Sequence, residues 1–254
     1  MTKLPDYAMP FHLRDKREKN FLGDLESFIN NSPLSNVERF ANFALYTSRQ
    51  ELARFILRNQ MFNEILNVHG SIIECGVLYG NGLMTFAHLS SILEPVNHTR
   101  KVIGFDTFSG FPSNHSKDKS EQTTNTTEVG AMAADSKEEL ERCINMFDQN
   151  RSIGHIPKVE LVKGDLVETA PDYIEKNPHL VVSLLYLNVN IYEPTKAAIQ
   201  AFVPRMPKGA VIAFGELDHP ECPGETLAVL EGLNLKELEL KRVPYDTTRC
   251  YAVI

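Results

Sequence analysis

The sequence predicts an α/β fold, a doubly wound, mostly parallel seven-stranded sheet, and three observations predict it. The short run Ser71 to Ile73 ends on Glu74 and passes through glycines 76, 80 and 82 into the helical pattern LMTFAHLSSIL, a strand, tight turn and helix in succession. Further strand-like runs, KVIGFD, VELVKGD, LVVSLLYLNVN and AVIAFGE, alternate with helical stretches, which is the pattern of a parallel sheet with crossover helices. The fourth run is apolar almost throughout, as expected of a central strand covered on both faces.

Residues 1 to 35 are polar and interrupted by Pro5, Pro10 and Pro33, with one short helix expected around Phe21 to Asn30. From Asn36 the spacing of Val37, Phe40, Phe43 and Ala44, then of Leu52, Phe55, Ile56, Phe62, Ile65 and Leu66, fits amphipathic helices. Residues 1–48 therefore read as an arm and N-terminal helical cap, and 49–254 as the sheet-containing domain. The helix after the glycine turn runs to about Leu93, and KVIGFD ends on Asp106. The stretch from Ser113 to Asp135 has little periodicity and many hydroxyls; a loop of that length in a compact domain is read as a mobile lid. A helix over Ser136 to Asp148, one over Glu168 to Lys176 capped by Asp165, one over Glu193 to Arg205 and one around Glu225 to Leu233 follow. The runs LKELELKRV and TTRCYAVI, separated by PYD, predict a closing antiparallel pair.

Length and composition narrow the function. A chain of 254 residues with 43% hydrophobic and 23% charged residues can bury a full core. No apolar run approaches the roughly 20 residues needed to span a bilayer, and the first residues lack the apolar core of a signal peptide. Four widely spaced cysteines form no C-x-x-C pair, so a reduced, cytoplasmic setting is expected, without a zinc site. The net charge of -7 argues against nucleic acid and, with no apolar span, against a membrane partner; a small-molecule substrate is expected. Assembly into a homo-oligomer is left open.

The glycine-rich turn is the candidate site, because at the carboxyl ends of parallel strands the backbone approaches a ligand closely and the next helix presents free N–H groups. Its spacing, G-x-x-x-G-x-G with an acid two positions earlier, departs from the dinucleotide fingerprint G-x-G-x-x-G. No Tyr-x-x-x-Lys pair supports hydride chemistry either, which disfavours a nicotinamide-dependent dehydrogenase. Asp106, 24 residues past Gly82, stands where such folds bind ribose hydroxyls.

The E-x-G-x-x-x-G-x-G turn resembles motif I of class I S-adenosylmethionine-dependent methyltransferases. The ordered set ECGVLYGNG, GFDTFSGFP, KGD, LYLNVNIYEPT and GAVIAFGELDHP resembles the macrocin O-methyltransferase group of that class, over roughly Arg49 to the C-terminus. The resemblance implies a Rossmann-like fold and O-methylation of a sugar hydroxyl on a natural product or glycan, with S-adenosylmethionine as cofactor. It implies that Glu74, Gly76, Gly80, Asn81 and Gly82 hold the methionine end, Asp106 and Thr107 the ribose, and Asp165 the adenine.

The departures concern the metal. The family pattern L-D-x-D-x-Y-E, with acidic residues ending the fifth strand, implies a magnesium site, but here the matching positions are Asn188, Asn190, Gly215 and Glu216. Uncharged amides offset the dehydration of magnesium poorly, so no metal ligand is assigned and magnesium is doubtful. The candidates for a catalytic base are Glu216, Asp218 and His219. The alternative reading is an S-adenosylmethionine-binding pseudoenzyme with a structural or regulatory role.

Overall fold

The computed structural model describes residues 15–121, 123, 127–246 and 248–254. Two compact units emerge: one of the described residues up to Leu57 together with Pro244–Asp246, the other of Arg58–Val243 with Thr248–Ile254. In the first unit, α1 (Lys16–Asn30) is longer than the helix expected from Phe21, because Asp15 and Glu18 form a reciprocal cap that starts it earlier. The short α2 (Asn36–Ala41) is opened in the same way by Ser35 and Glu38. The part of the predicted arm before residue 15 lies outside the described residues. α3 (Arg49–Glu64) begins in this unit, and its last turns belong to the next.

The second unit is built on a seven-stranded sheet of order β3-β2-β1-β4-β5-β7-β6. Its strands are β1 (Ser71–Cys75), β2 (Val102–Asp106), β3 (Val159–Lys163), β4 (Val182–Leu187), β5 (Val211–Phe214), β6 (Lys241–Arg242) and β7 (Cys250–Val253). The first five are parallel, and β7 enters antiparallel between β5 and β6. The crossovers are α4 (Asn81–Leu93), α5 (Lys137–Gln149), α6 (Leu166–Lys176) and α7 (Tyr192–Phe202), followed by α8 (Pro223–Gly232). The doubly wound fold is as the sequence predicts. Among the described residues no helix is long and apolar enough to cross a membrane.

Residues of β1, β4 and β5 are buried along their whole length, which explains their unbroken apolar pattern. One face packs Ile73, Phe105, Leu185 and Phe214 with Ala170 and Tyr173 of α6 and Phe202 of α7. On the other, a second alternation carries Ile72, Glu74, Leu184 and Tyr186, and α4 covers β1 and β2. The carboxyl ends of β1, β2, β4 and β5 come into register through Cys75 with Phe105, Cys75 with Leu187 and Leu187 with Phe214, so the turns after them gather on one edge.

One expectation changes, and the path of the loop before α5 is described in part. The strand expected over LKELELKRV shrinks to Lys241–Arg242, with Leu235–Glu237 in a 3-10 turn opened by the Asn234 side chain. The loop from Ser113 to Asp135 has a defined path in its described residues, whereas 122 and 124–126 lie outside them. Asp118 is buried; one carboxylate oxygen accepts from Tyr192 N at the start of α7 at 2.7 Å and the other from His115 N at 2.7 Å. A carboxylate on a helix N-terminus is a specific anchor with no periodicity to reveal it.

Arg100, buried before β2, ties the opposite edge. It donates to Glu94 at 2.8 Å, to Ser183 on β4 at 2.6 Å, and to the carbonyls of Ile65, Val68 and Gly70. Arg100→Ala would leave these acceptors and the Glu94 charge unmatched, at a cost of about 3–5 kcal/mol. Urea unfolding reads this directly, and a midpoint within error of the unsubstituted chain would show that the cluster adds no net stability.

Candidate active site

The Asp106 carboxylate, at the end of β2, accepts from Val77 N at 2.7 Å, Leu78 N at 2.8 Å and Phe108 N at 2.7 Å. It thereby fastens the glycine turn to the neighbouring strand. Leu78 and Phe108 have positive φ, 52° and 56°, a conformation unfavourable for such side chains that the three bonds help to hold. Thr107 Oγ1 donates to Gly110 O at 2.6 Å and accepts from Ser109 N, which closes the turn after β2. Asp165 caps α6 by accepting from Val167 N at 3.0 Å.

Within the glycine turn, Gly76 has φ +89°, and a Cβ there would overlap Asn188 O as the turn crosses the end of β4. Gly80 has φ +85° and starts α4 without a side-chain cap, and Asn81 is the first residue of that helix. Gly82 lies over Glu74, where a Cβ would overlap Oε1. The turn thus brings Glu74, Gly76, Gly80, Asn81, Gly82 and Asp106 together; Thr107 continues from Asp106, and Asp165 follows the end of β3 on the same edge of the sheet.

Glu74 is 1% exposed, and its Oε2 has no hydrogen-bond partner among the described residues. Burial pushes its carboxyl up from 4.5 to about 7, with the Arg58 guanidinium pulling it down and the Asp106 carboxylate adding to the rise. Arg58 reaches it from the last turns of α3, Nη2 to Oε1 3.7 Å, with the guanidinium 5.6 Å from the centre of the Tyr186 ring. The sequence reading missed Arg58, whose only signal is a cation among the apolar positions of an amphipathic helix. A buried carboxylate oxygen in want of a donor, at a glycine turn whose backbone comes into direct contact with it, fits the amino group of an S-adenosylmethionine methionyl end.

At the end of β5, Glu216 is buried, with its amide donating to Glu225 Oε1 of α8 at 2.9 Å. Glu225, also missed by the sequence reading, is fully buried. Desolvation pushes its carboxyl up to about 8, against the Glu216 amide, and the Glu216 carboxylate adds to the rise. Arg249, also buried, donates from Nε to Tyr186 Oη at 3.1 Å. Asp218 is exposed with φ +63°, its amide donating to Thr226 Oγ1 at 2.9 Å. His219 is half-buried, and its Nδ1 has no partner among the described residues.

The donors do not suit magnesium. Asn188 and Asn190 offer amide oxygens, Gly215 none, and a Cβ at 215 would stand 2.6 Å from Asn188 Oδ1. Among the described residues no group of three His, Cys, Asp or Glu side chains is arranged to hold a metal ion.

Glu74 fixes one pH dependence. Its folded value, about 7, lies above 4.5, so the folded chain holds this proton more tightly; that stabilisation is complete below about pH 4.5 and is lost as pH rises through 7. Relative to the unsubstituted chain, Glu74→Gln should gain on the order of 3 kcal/mol of unfolding free energy between pH 4 and pH 8. Denaturant titrations across that range test it, and a difference that does not vary with pH would refute the assignment.

Comparison with known proteins bears on this geometry. The family model for macrocin O-methyltransferase (TylF) matches residues 50–228. Two solved structures of CalS11, described as a calicheamicin methyltransferase and, in the apo form, as a TDP-rhamnose 3'-O-methyltransferase, are each 31% identical to this chain. The first covers 98% of both chains with a TM-score of 0.90. The second covers 95% of this chain and 96% of that one with a TM-score of 0.81. The O-methyltransferase NovP is 20% identical over 79% of each chain, TM-score 0.61, a likeness of fold. No curated protein matches the sequence.

Proposed function

This chain belongs to the macrocin O-methyltransferase family and is an S-adenosylmethionine-dependent methyltransferase, and from that premise we propose that it methylates a hydroxyl of a sugar carried by a natural product, glycan or nucleotide. The observation that carries the proposal is the 31% identity over 98% of both chains to a calicheamicin methyltransferase whose apo form is described as acting on TDP-rhamnose. The catalytic domain is taken as 49–254, with 1–48 as an arm and helical cap and the acceptor a small molecule. On this reading the protein works in the cytoplasm and binds no nucleic acid.

When bound, the cofactor supplies an activated methyl group. Glu74 and the glycine turn around Asn81 hold its amino-acid end, Asp106 and Thr107 its ribose, and Asp165 its adenine. Three amides take three of the roughly four acceptor positions of the Asp106 carboxylate, so one remains for a ribose hydroxyl. Alignment of the acceptor oxygen with the methyl group contributes most of the acceleration, and a base removes the hydroxyl proton.

Of the three candidate bases, His219 suits that task. Asp218 is exposed, the Glu216 carboxylate is buried beside the Glu225 carboxyl, and the half-buried His219 ring has a nitrogen committed to no described residue. His219→Ala should lower kcat by about 10²–10⁴ with a small change in KM, whereas Asp218→Ala should stay within a few-fold. Transfer of labelled methyl to TDP-rhamnose and related deoxysugars provides the assay. Equal losses in the two variants would remove His219 from the chemistry, and cofactor binding without turnover on any sugar would favour the pseudoenzyme.

Activity should persist in EDTA, because the residues at 188, 190 and 215 bring no carboxylate. The paired substitutions Asn188→Asp and Gly215→Asp should introduce magnesium-dependent thermal stabilisation. Loss of activity on chelation would show that other residues bind the ion.

A further inference from the structure

Strand β5 ends at Phe214, and residues 215–219 beyond it carry the candidate bases Glu216, Asp218 and His219. A short return of this kind sets its own direction poorly, and this one includes a positive φ of 63° at Asp218. Across the turn, His219 N donates to Glu216 O at 3.2 Å. Further support comes from the first turn of α8, where Glu225 Oε1 accepts from Glu216 N and Thr226 Oγ1 from Asp218 N, both at 2.9 Å. Glu225 is the third residue of α8, a position from which a glutamate ordinarily reaches back to the amide that opens its own helix. Here Cys222, which opens α8, provides no side-chain cap, and its amide donates to His219 O at 3.1 Å. Glu225 is thereby released to the loop after β5, fully buried, with Oε2 lacking a partner among the described residues. Burying a carboxyl in this way is unfavourable for stability, and groups kept despite it gather where a site needs them.

We propose that Glu225 and Thr226 are positioning residues for methyl transfer, whose two hydrogen bonds fix the backbone of the loop after β5 and so the direction from which His219 meets the acceptor hydroxyl. The inference rests on the reading of His219 as the base. With the amides of 216 and 218 held to one helix, the peptide planes on both sides of Leu217 are fixed, and the backbone reaches His219 one residue later. The amide and carbonyl of His219 are themselves engaged, by Glu216 O and Cys222 N. Helix α8 is a firm base for this clamp, because Ala228 and Val229 are buried and Val229 packs in one core cluster with Phe202 and Phe214. Proton transfer requires the base within hydrogen-bond reach of the hydroxyl, so a small displacement of the loop is costly. Desolvation favours the neutral carboxyl on Glu225, and a glutamine there supplies the same accepting oxygen without a charge.

Steady-state kinetics with labelled S-adenosylmethionine and TDP-rhamnose, run beside thermal melts, test the assignment. Glu225→Ala should lower kcat by about 10- to 100-fold with KM within a few-fold, and Glu225→Gln should recover most of that loss. Thr226→Val, which keeps the shape and removes the acceptor, should lower kcat by about fivefold, and Thr226→Ser should restore it. An unchanged kcat in both Glu225→Ala and Thr226→Val, whatever the shift in melting temperature, would reduce the two contacts to supports of the fold and overturn the proposal. Equal losses in Glu225→Ala and Glu225→Gln, or an effect on KM alone, would do the same. His219→Ala separates the two readings: if it keeps kcat, the base assignment falls and the proposal with it, and if it loses kcat while the α8 variants do not, only the positioning role falls. Should Glu225→Ala fail to fold, or no sugar be methylated, amide hydrogen exchange decides. The amides of Glu216 and Asp218 should be protected in the unsubstituted protein, with Asp218 losing its protection in Thr226→Val; fast exchange of both in the unsubstituted protein would overturn the clamp.

Discussion

One carboxylate, that of Asp106, fixes the geometry on which the site depends. Three backbone amides converge on it, two from the turn after β1 and one from its own turn after β2, and two of the three donors sit at positive φ. Hydrogen bonds to a charged acceptor contribute roughly 1.5–3 kcal/mol each, enough to hold backbone conformations that cost on the order of 1–3 kcal/mol. Because the glycine turn is fastened in this way, Gly82 stands over Glu74 and Gly76 passes over the end of β4. The placement of Glu74 and of the first turn of α4 follows from that one anchor.

What could be read in advance divides along physical lines. The parallel strands were legible because burial on both faces leaves an apolar run, and the glycine turn because close approach and positive φ call for glycine at fixed spacing. Asp106, Asp165 and Glu74 could be found because each terminates a strand or opens a turn. Arg58 and Glu225 could not, since each is one charged residue on an ordinary helix, and only the three-dimensional crossing of α3 and α8 with the sheet ends brings them to a carboxylate. The anchored path of the loop before α5 escaped notice for the same reason: Asp118 meets the start of α7 across 74 positions of sequence.

The charges along the sheet edge differ in kind from one end to the other. At Glu74 the acid faces a guanidinium, and the pair is neutral as a unit. At Glu216 two acids adjoin, one held by an amide of the other's backbone, and desolvation together with mutual repulsion favours a protonated Glu225. Glu225 is therefore a fixed part of the wall under the end of β5, not a spare ligand for a cation. The amides at 188 and 190 fit the same pattern, because they offer oxygens to a neighbour without adding to the negative charge gathered there.

Tyr186 stands between these two regions. Its ring lies beneath Arg58, and its hydroxyl accepts from Arg249, just before β7, the strand beside β5. A single rigid side chain is thus a party wall between the Arg58–Glu74 pair and the Glu216–Glu225 pair. A substitution at position 249 would therefore be felt at the Arg58–Glu74 pair, and selection acting there should find its compensating substitutions at 58 or 186, far along the chain from where it was applied.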